Sequence, residues 1–192
     1  MKLSRFSRRA LALDFEKDIL PLEQRLINEY GFVKEEVNFM VRHRPSIILL
    51  DQEKDVGIPV LHRFFVEKKG FDIDTMRTLV VKYPYIAGKT EQQLNHFFET
   101  LKAQGLKEEE IMQALLEIPK LISMDIDKQI KDITFLFNLY HGFSIQEVMD
   151  IFKQFPYLLC CDADKIQRYM AEFRKYQFTK EQIYRLVIQC IY

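Results

Sequence analysis

The sequence has no run of 18 apolar residues, so no transmembrane helix is indicated. Glycine and proline are scarce, six of each in 192 residues, and punctuators this rare tend to have fixed jobs. Cysteine is scarcer still. Cys160 and Cys161 are adjacent and Cys190 stands apart, which is not the CxxC spacing of a metal or redox site. So small and odd a count argues against a secreted disulfide scaffold, and three reduced, mostly buried thiols are expected. Net charge is missing too: 28 basic residues face 28 acidic ones. What remains, 48% hydrophobic and 29% charged residues, is ordinary for a soluble protein and enough for one compact domain or a short repeat array.

The balanced charge is unevenly spread. Residues 1–13, MKLSRFSRRALAL, hold Lys2, Arg5, Arg8 and Arg9 and no acid. Taking these four from 28 leaves 24 basic against 28 acidic residues, a body of about −4. The basic, serine-containing head has the composition of a mitochondrial targeting segment, and a basic arm gripping a polyanion is the alternative. Residues 14–192 are expected to form the folded domain.

The scarce residues are phased. Pro45, Pro84, Pro119 and Pro156 each follow a glycine by 14 residues: Gly31, Gly70, Gly105 and Gly142. The segments read GFVKEEVNFMVRHRP, GFDIDTMRTLVVKYP, GLKEEEIMQALLEIP and GFSIQEVMDIFKQFP. A fifth, QFTKEQIYRLVIQCI (177–191), keeps the pattern with Gln177 for glycine and Ile191 for proline. Six residues after the glycine position stand Val37, Met76, Ile111, Val148 and Ile183; ten after it stand Val41, Val80, Leu115, Phe152 and Val187. Apolar residues three or four apart with charges between them mark an amphipathic helix.

Each phased residue has a physical reason. Glycine accepts the left-handed backbone that closes a helix, so it ends the preceding one. A second helix of about ten residues then starts, and Ser144 with Glu147 and Thr179 with Gln182 have the spacing of a capping box. Proline stops it, because the residue before proline avoids helical geometry and proline donates no hydrogen bond. Small apolar clusters follow, such as Ile47-Ile48-Leu49 and Leu158-Leu159, suited to plug the seam between repeats. First helices are expected over 18–30, 58–69, 91–104, 127–141 and 164–176, with Thr90 and Gln93 as a further capping box, Pro59 at a first helical position, and Asp127 and Asp164 as N-caps. The linker DQEKDVG (51–57) is the one loose stretch. The pattern gives an all-α solenoid, right- or left-handed, of about five helix–turn–helix repeats, in which stacked neighbours complete one another's cores. The apolar end LVIQCIY needs cover from its own chain or from a partner.

GFVKEEVNFMVRHRPSIIL (31–49) and GFSIQEVMDIFKQFPYLL (142–159) are similar to the repeat of the mitochondrial transcription termination factor (mTERF) family, and the likeness runs over about residues 18–192. It implies two helices and a short turn helix per repeat, a left-handed superhelix, an organellar address, and binding of organellar DNA or RNA, in some members within ribosome assembly. Gripping duplex DNA needs many contacts from lysine and arginine to phosphate. A slightly acidic body therefore favours RNA.

No catalytic constellation is apparent: GxSxG, HExxH and GxxxxGK[ST] are all absent. His43, His62, His96 and His141 share no ligand spacing, so neither metal nor cofactor is expected. The acidic pairs Glu35-Glu36 and Glu108 to Glu110 sit at second-helix starts, where they favour the helix dipole. The 16 Phe and nine Tyr fall mostly on apolar repeat positions and read as core rather than base-stacking platforms. Basic residues are the functional candidates. Arg42 and Arg44 end the second helix of repeat one, and Lys82, Lys120 and Lys153 lie near the same edge of later repeats, a ridge that Arg5, Arg8 and Arg9 could extend. The alternative is a set of solvated helix ends where cations complement the dipole. The leading expectation is a non-enzymatic RNA-binding accessory protein of the mitochondrial matrix, a possible ribosome component contacting rRNA and protein subunits, with no small-molecule substrate. A protein-only scaffold subunit of a large mitochondrial complex comes second, and a DNA-binding termination factor third.

Overall fold

The structure, a computed structural model, describes residues 14–50 and 54–189. The basic head with Arg5, Arg8 and Arg9, residues 51–53 of the linker, and Cys190 to Tyr192 lie outside the described residues. Among the described residues the regular elements are all helical. They fall in two compact units, residues 1–95 and 96–192.

The first unit opens with a π-helical turn, Phe15–Ile19, leading into α1 (Leu20–Tyr30). Next come α2 (Lys34–His43), the short α3 (Ile47–Leu50), α4 (Ile58–Leu61) continuing as the π-helical His62–Lys68, α5 (Ile73–Lys82), a 3-10 turn at Pro84–Gly88 and the start of α6 (Glu91–Ala103). The turn Pro84–Gly88 packs against α3 and α4, and α5 packs against α2. The second unit continues with α7 (Glu108–Glu117), the 3-10 turn Pro119–Ser123, α8 (Ile126–His141), α9 (Ile145–Gln154), the 3-10 turn Pro156–Cys160, α10 (Ala163–Lys175) and α11 (Lys180–Gln189). There α10 packs against α8, α11 against α9, and Pro156–Cys160 against both α8 and Pro119–Ser123.

The phasing survives at atomic detail. All five second helices begin three residues after the glycine position and run for ten residues. Gly31, Gly70, Gly105 and Gly142 have φ between 66° and 89°. In each of the five turns the following residue's N–H reaches back across the turn, from Phe32, Phe71, Leu106, Phe143 and Phe178 to the carbonyls of Leu26, Phe65, Leu101, Phe137 and Phe173. This bond satisfies a carbonyl that the helix end would leave orphaned. At the other end the pre-proline residues Arg44, Tyr83, Ile118 and Phe155 share φ near −140° and ψ near 78°, outside the helical region that proline forbids its predecessor. Their carbonyls then accept from Ile47, Ile86, Leu121 and Leu158, which starts the next short turn.

Burial supplies most of the stability. Val37, Met76, Ile111, Val148 and Ile183 are all at most 1% exposed, and each such side chain contributes about 1.5–3 kcal/mol. One cap contributes about 1 kcal/mol, so packing outweighs capping in every repeat. Ser144–Glu147, Thr179–Gln182 and Thr90–Gln93 form the expected reciprocal caps. The N-caps of α8 and α10 differ from expectation. They are Asp125 and Asp162 rather than Asp127 and Asp164, because the helices start at Ile126 and Ala163, two residues before those caps would place them. Asp127 instead lies 2.5 Å from His96 Nε2. Pro59 likewise sits second in its helix, after Ile58. Among the described residues no helix is long and apolar enough to cross a membrane.

Candidate nucleic-acid interface

The C-terminal edge of the second helices, together with the post-proline turns, carries the predicted cations. In the first unit Arg42 is exposed in the last turn of α2. Beside it the rings of Phe39 and His43 stack with centroids 3.9 Å apart, and Phe39 is 42% exposed. Sequence reasoning missed Phe39, although a signal was there. It stands eight residues after the glycine, where the other repeats carry Thr78, Gln113, Asp150 and Arg185. An aromatic residue at a position otherwise polar faces water.

Arg44 does something else. It is half-buried, donates from Nη1 to the carbonyl oxygens of Pro84 (3.1 Å) and Tyr85 (2.5 Å) and from Nε to Ser46 Oγ (3.2 Å), and lies 5.1 Å from the Tyr85 ring centroid. It ties the end of repeat one to the turn of repeat two. Gly88 is required by this tie, because a Cβ there would collide with Arg44 Nη2. Burial lowers the guanidinium's pKa, opposed by Tyr85 and Tyr83. Lys89 is also pushed down, by burial first and by the Arg44 charge second. Two cations thus crowd one turn, a concentration of positive charge the sequence did not signal. Lys82 is exposed at the last residue of α5.

In the second unit Lys120 is exposed on the turn Pro119–Ser123, while Lys153 is half-buried and 3.5 Å from Asp150 Oδ1. That pairing is partly exposed, so it is weak and an incoming phosphate could replace it. The turn Pro156–Cys160 repeats an arrangement of the first unit. Phe155 and Tyr157 rings lie 5.9 Å apart and tilted by 45°, and Tyr83 and Tyr85 rings lie 5.4 Å apart and tilted by 40°. Tyr85 and Tyr157 are 53% and 51% exposed at the same place in their repeats, and Lys120 holds that place in the repeat between. The structure thus brings cations and half-exposed rings to one edge within each unit. These rings were expected in the core; burial elsewhere is provided by the residues after them, such as Ile86 and Leu158.

The remaining polar groups are engaged locally. Glu36 and Glu110 accept from the N-cap N–H groups of Val33 and Lys107 at 3.0 and 2.7 Å, a structural use of the acidic helix starts. His62 meets Glu67 at 3.1 Å, and His141 Nε2 is 3.1 Å from the Met170 carbonyl oxygen. Cys160 and Cys161 are unpaired and half-buried, and burial pushes both thiols up. Among the described residues no group of three or more His, Cys, Asp or Glu is placed to hold a metal ion.

Phased helical hairpins, joined by glycine turns and closed by pre-proline residues, define a helical-repeat protein. The mTERF family model matches residues 63–187, more than half of the chain, and the protein belongs to the mTERF family. That family consists of nucleic-acid-binding regulators of organellar gene expression, generally without enzymatic activity. No curated protein matches this chain.

Proposed function

We propose that this protein is an RNA-binding accessory factor of mitochondrial gene expression in the matrix, attached to ribosomal RNA and its protein neighbours. The observation that carries this reading is that each unit pairs exposed rings with cations at its second-helix ends and post-proline turns: Phe39 and Tyr85 with Arg42 and Lys82 in the first, Tyr157 with Lys120 and Lys153 in the second. Cations neutralise phosphates, and half-exposed rings stack on unpaired bases, the combination that single-stranded RNA needs. The family and the acid-free head, with Arg5, Arg8 and Arg9, support the organellar address and a further grip on phosphate. A body near −4 supports single-stranded RNA over duplex DNA, which leaves transcription termination on DNA the weaker reading.

Binding of organellar RNA across a salt series tests the proposal. Affinity should fall steeply with salt, and replacing Arg42, Lys82, Lys120 and Lys153 by alanine should flatten the log–log slope by up to about 3, at ~0.7 per phosphate contact on a single strand. Undetectable binding at low salt would defeat it. Arg44→Ala belongs in a separate arm, because its donors already hold the Pro84 and Tyr85 carbonyls.

A protein-only scaffold role has its own support. Phe135, Leu139 and Ile145 are 62%, 53% and 53% exposed, and Phe135 and Ile145 line an open cleft of about 550 Å³ with Thr100, Gln104 and Asn138. Exposed apolar patches mark protein contacts. Co-purification that survives RNase treatment would favour this second role.

A further inference from the structure

Arg44 stands directly before its repeat's proline, where the later repeats carry the uncharged residues Tyr83, Ile118 and Phe155. A guanidinium has five N–H donors. Nε of Arg44 serves Ser46 Oγ, and Nη1 serves the Pro84 and Tyr85 carbonyls, which accounts for the tie between the two turns. The Nη2 donors have no acceptor among the described residues. Nη2 lies over Gly88, at a place that only a residue without a Cβ leaves open.

Lys89 follows Gly88 directly. It is half-buried, and its ammonium has no ion-pair partner among the described residues. The nearest acid along the chain, Glu91, is committed to Lys68 and, at 3.9 Å, to Arg63. Burial lowers the pKa of Arg44 and of Lys89, and the Arg44 charge lowers that of Lys89 further. The tie to the two carbonyls has no use for Lys89, and a second cation works against it. Two half-buried cations that feel each other's charge, with no carboxylate between them, are unfavourable until an anion joins them. A ring stands beside them: Tyr85 is 53% exposed, with Arg44 Cζ 5.1 Å from its centroid.

We infer that Arg44 Nη2 and Lys89 Nζ together hold one phosphate of an RNA strand, with the exposed face of Tyr85 taking a neighbouring base. This rests on the RNA-binding reading and deepens it, since it assigns a single phosphate seat to two residues outside the set of Arg42, Lys82, Lys120 and Lys153. A phosphodiester offers two unesterified oxygens, one for each cation, and bonds from charged donors to such oxygens are the strong ones. It also brings a base within reach of the ring, which a carboxylate on a protein partner would not. Arg44 thereby has two uses: Nε and Nη1 fix the guanidinium to the fold, and Nη2 is left for the ligand.

The test has two arms, both on the full chain, and uses Lys89→Gln because Arg44→Ala would also cut the tie. The first arm is thermal unfolding in inorganic phosphate against chloride of equal ionic strength. Phosphate stabilises proteins generally by exclusion from their surface, so the seat is read from the part of the rise that Lys89→Gln removes. At 50 mM phosphate the wild type should gain about 2–4 °C more than the variant, for a Kd of ~10 mM. In chloride the variant should unfold no earlier than the wild type. The second arm is the salt dependence of single-stranded RNA binding, where Lys89→Gln should flatten the log–log slope by about 0.7. Lys131→Gln, which removes an exposed cation from α8, should leave both readouts as they are. Equal phosphate rises in wild type and variant overturn the seat, as does earlier unfolding of the variant in chloride, which would show that Lys89 already has a counter-charge. An equal gain in acetate makes it a carboxylate seat and overturns the phosphate. A lost phosphate rise with an unchanged RNA slope assigns the seat to free phosphate and overturns the RNA. Absence of RNA binding by the wild type defeats the broader reading and this occupant with it, and the phosphate arm, which uses no RNA, tells that failure from the others.

Discussion

Repeat four turns at Gly142 with φ 66°, and repeat five makes the same turn at Gln177 with φ 58°. The hydrogen bond across it is also kept, Phe143 to Phe137 in one and Phe178 to Phe173 in the other. Both second helices run ten residues from reciprocal caps, at Ser144 and Thr179. What differs is cover: Phe137 is fully buried and Phe173 is not. The backbone of a repeat is therefore set locally, by the turn, the cap and the apolar spacing, and its burial is set by its neighbours. A residue other than glycine can hold the left-handed turn at a cost of about 1–2 kcal/mol, less than the apolar packing of the same repeat contributes.

The comparison can be broken in order of expected size. Phe137→Ala should cost about 3–5 kcal/mol in urea denaturation, as deletion of a fully buried ring does, and Phe173→Ala about half of that. Equal costs would mean that the fifth repeat is as well covered as the fourth. Next, Gly142→Ala should lose about 1–2 kcal/mol and Gln177→Gly should gain about 1 kcal/mol. A Cβ on Gly142 meets only Lys180 Cε at 3.9 Å, so the loss is conformational rather than steric. Should Gln177→Gly prove neutral, the strain assigned to that turn is absent. Ser144→Ala should cost about 1 kcal/mol, and Thr179→Ala the same, since both caps have one geometry.

The smallest effect is electrostatic and joins the two repeats. Lys180 Nζ lies 3.1 Å from Glu147 Oε2 and 5.2 Å from the Phe143 ring centroid. The Glu147 carboxyl is held below its usual value, first by the Ser144 N–H and then by Lys180. A carboxylate depressed in the folded state contributes stability above its unfolded pKa and loses it as pH falls through the folded value. Acidification from the ordinary glutamate range downward should therefore narrow the stability difference between the wild type and Glu147→Gln. A difference that stays constant across that range would remove Glu147 from the seam.

Most of the repeat was legible in the sequence, because its signals are local. Glycine, proline and apolar spacing each act within one or two turns, so the boundaries of the second helices follow from counting. Asp127 and Asp164 failed as caps because a helix start depends on which residue first takes helical dihedrals, and aspartate two residues either way offers the same side chain. The placement of the candidate cations was half legible. Arg42, Lys82 and Lys120 are exposed where the register put them. Arg44 was misjudged because its acceptors, the Pro84 and Tyr85 carbonyls, lie 40 and 41 residues away. The exposed rings were hidden because the aromatic residues were read together as core, whereas the fully buried ones among the described residues are all phenylalanine, such as Phe32, Phe98 and Phe152. Tyr85 and Tyr157 are set apart by standing directly after the repeat's proline and before a buried residue, Ile86 or Leu158.

Ultraviolet crosslinking in intact mitochondria, followed by mass spectrometry of the crosslinked peptides, tests the central claim most directly. The account predicts RNA adducts on segments 39–44, 82–89 and 120 and on 153–157, with yields that fall as salt rises in a lysate. RNA adducts confined to the cleft beside Phe135 and Ile145, or no RNA adducts at all, would contradict it.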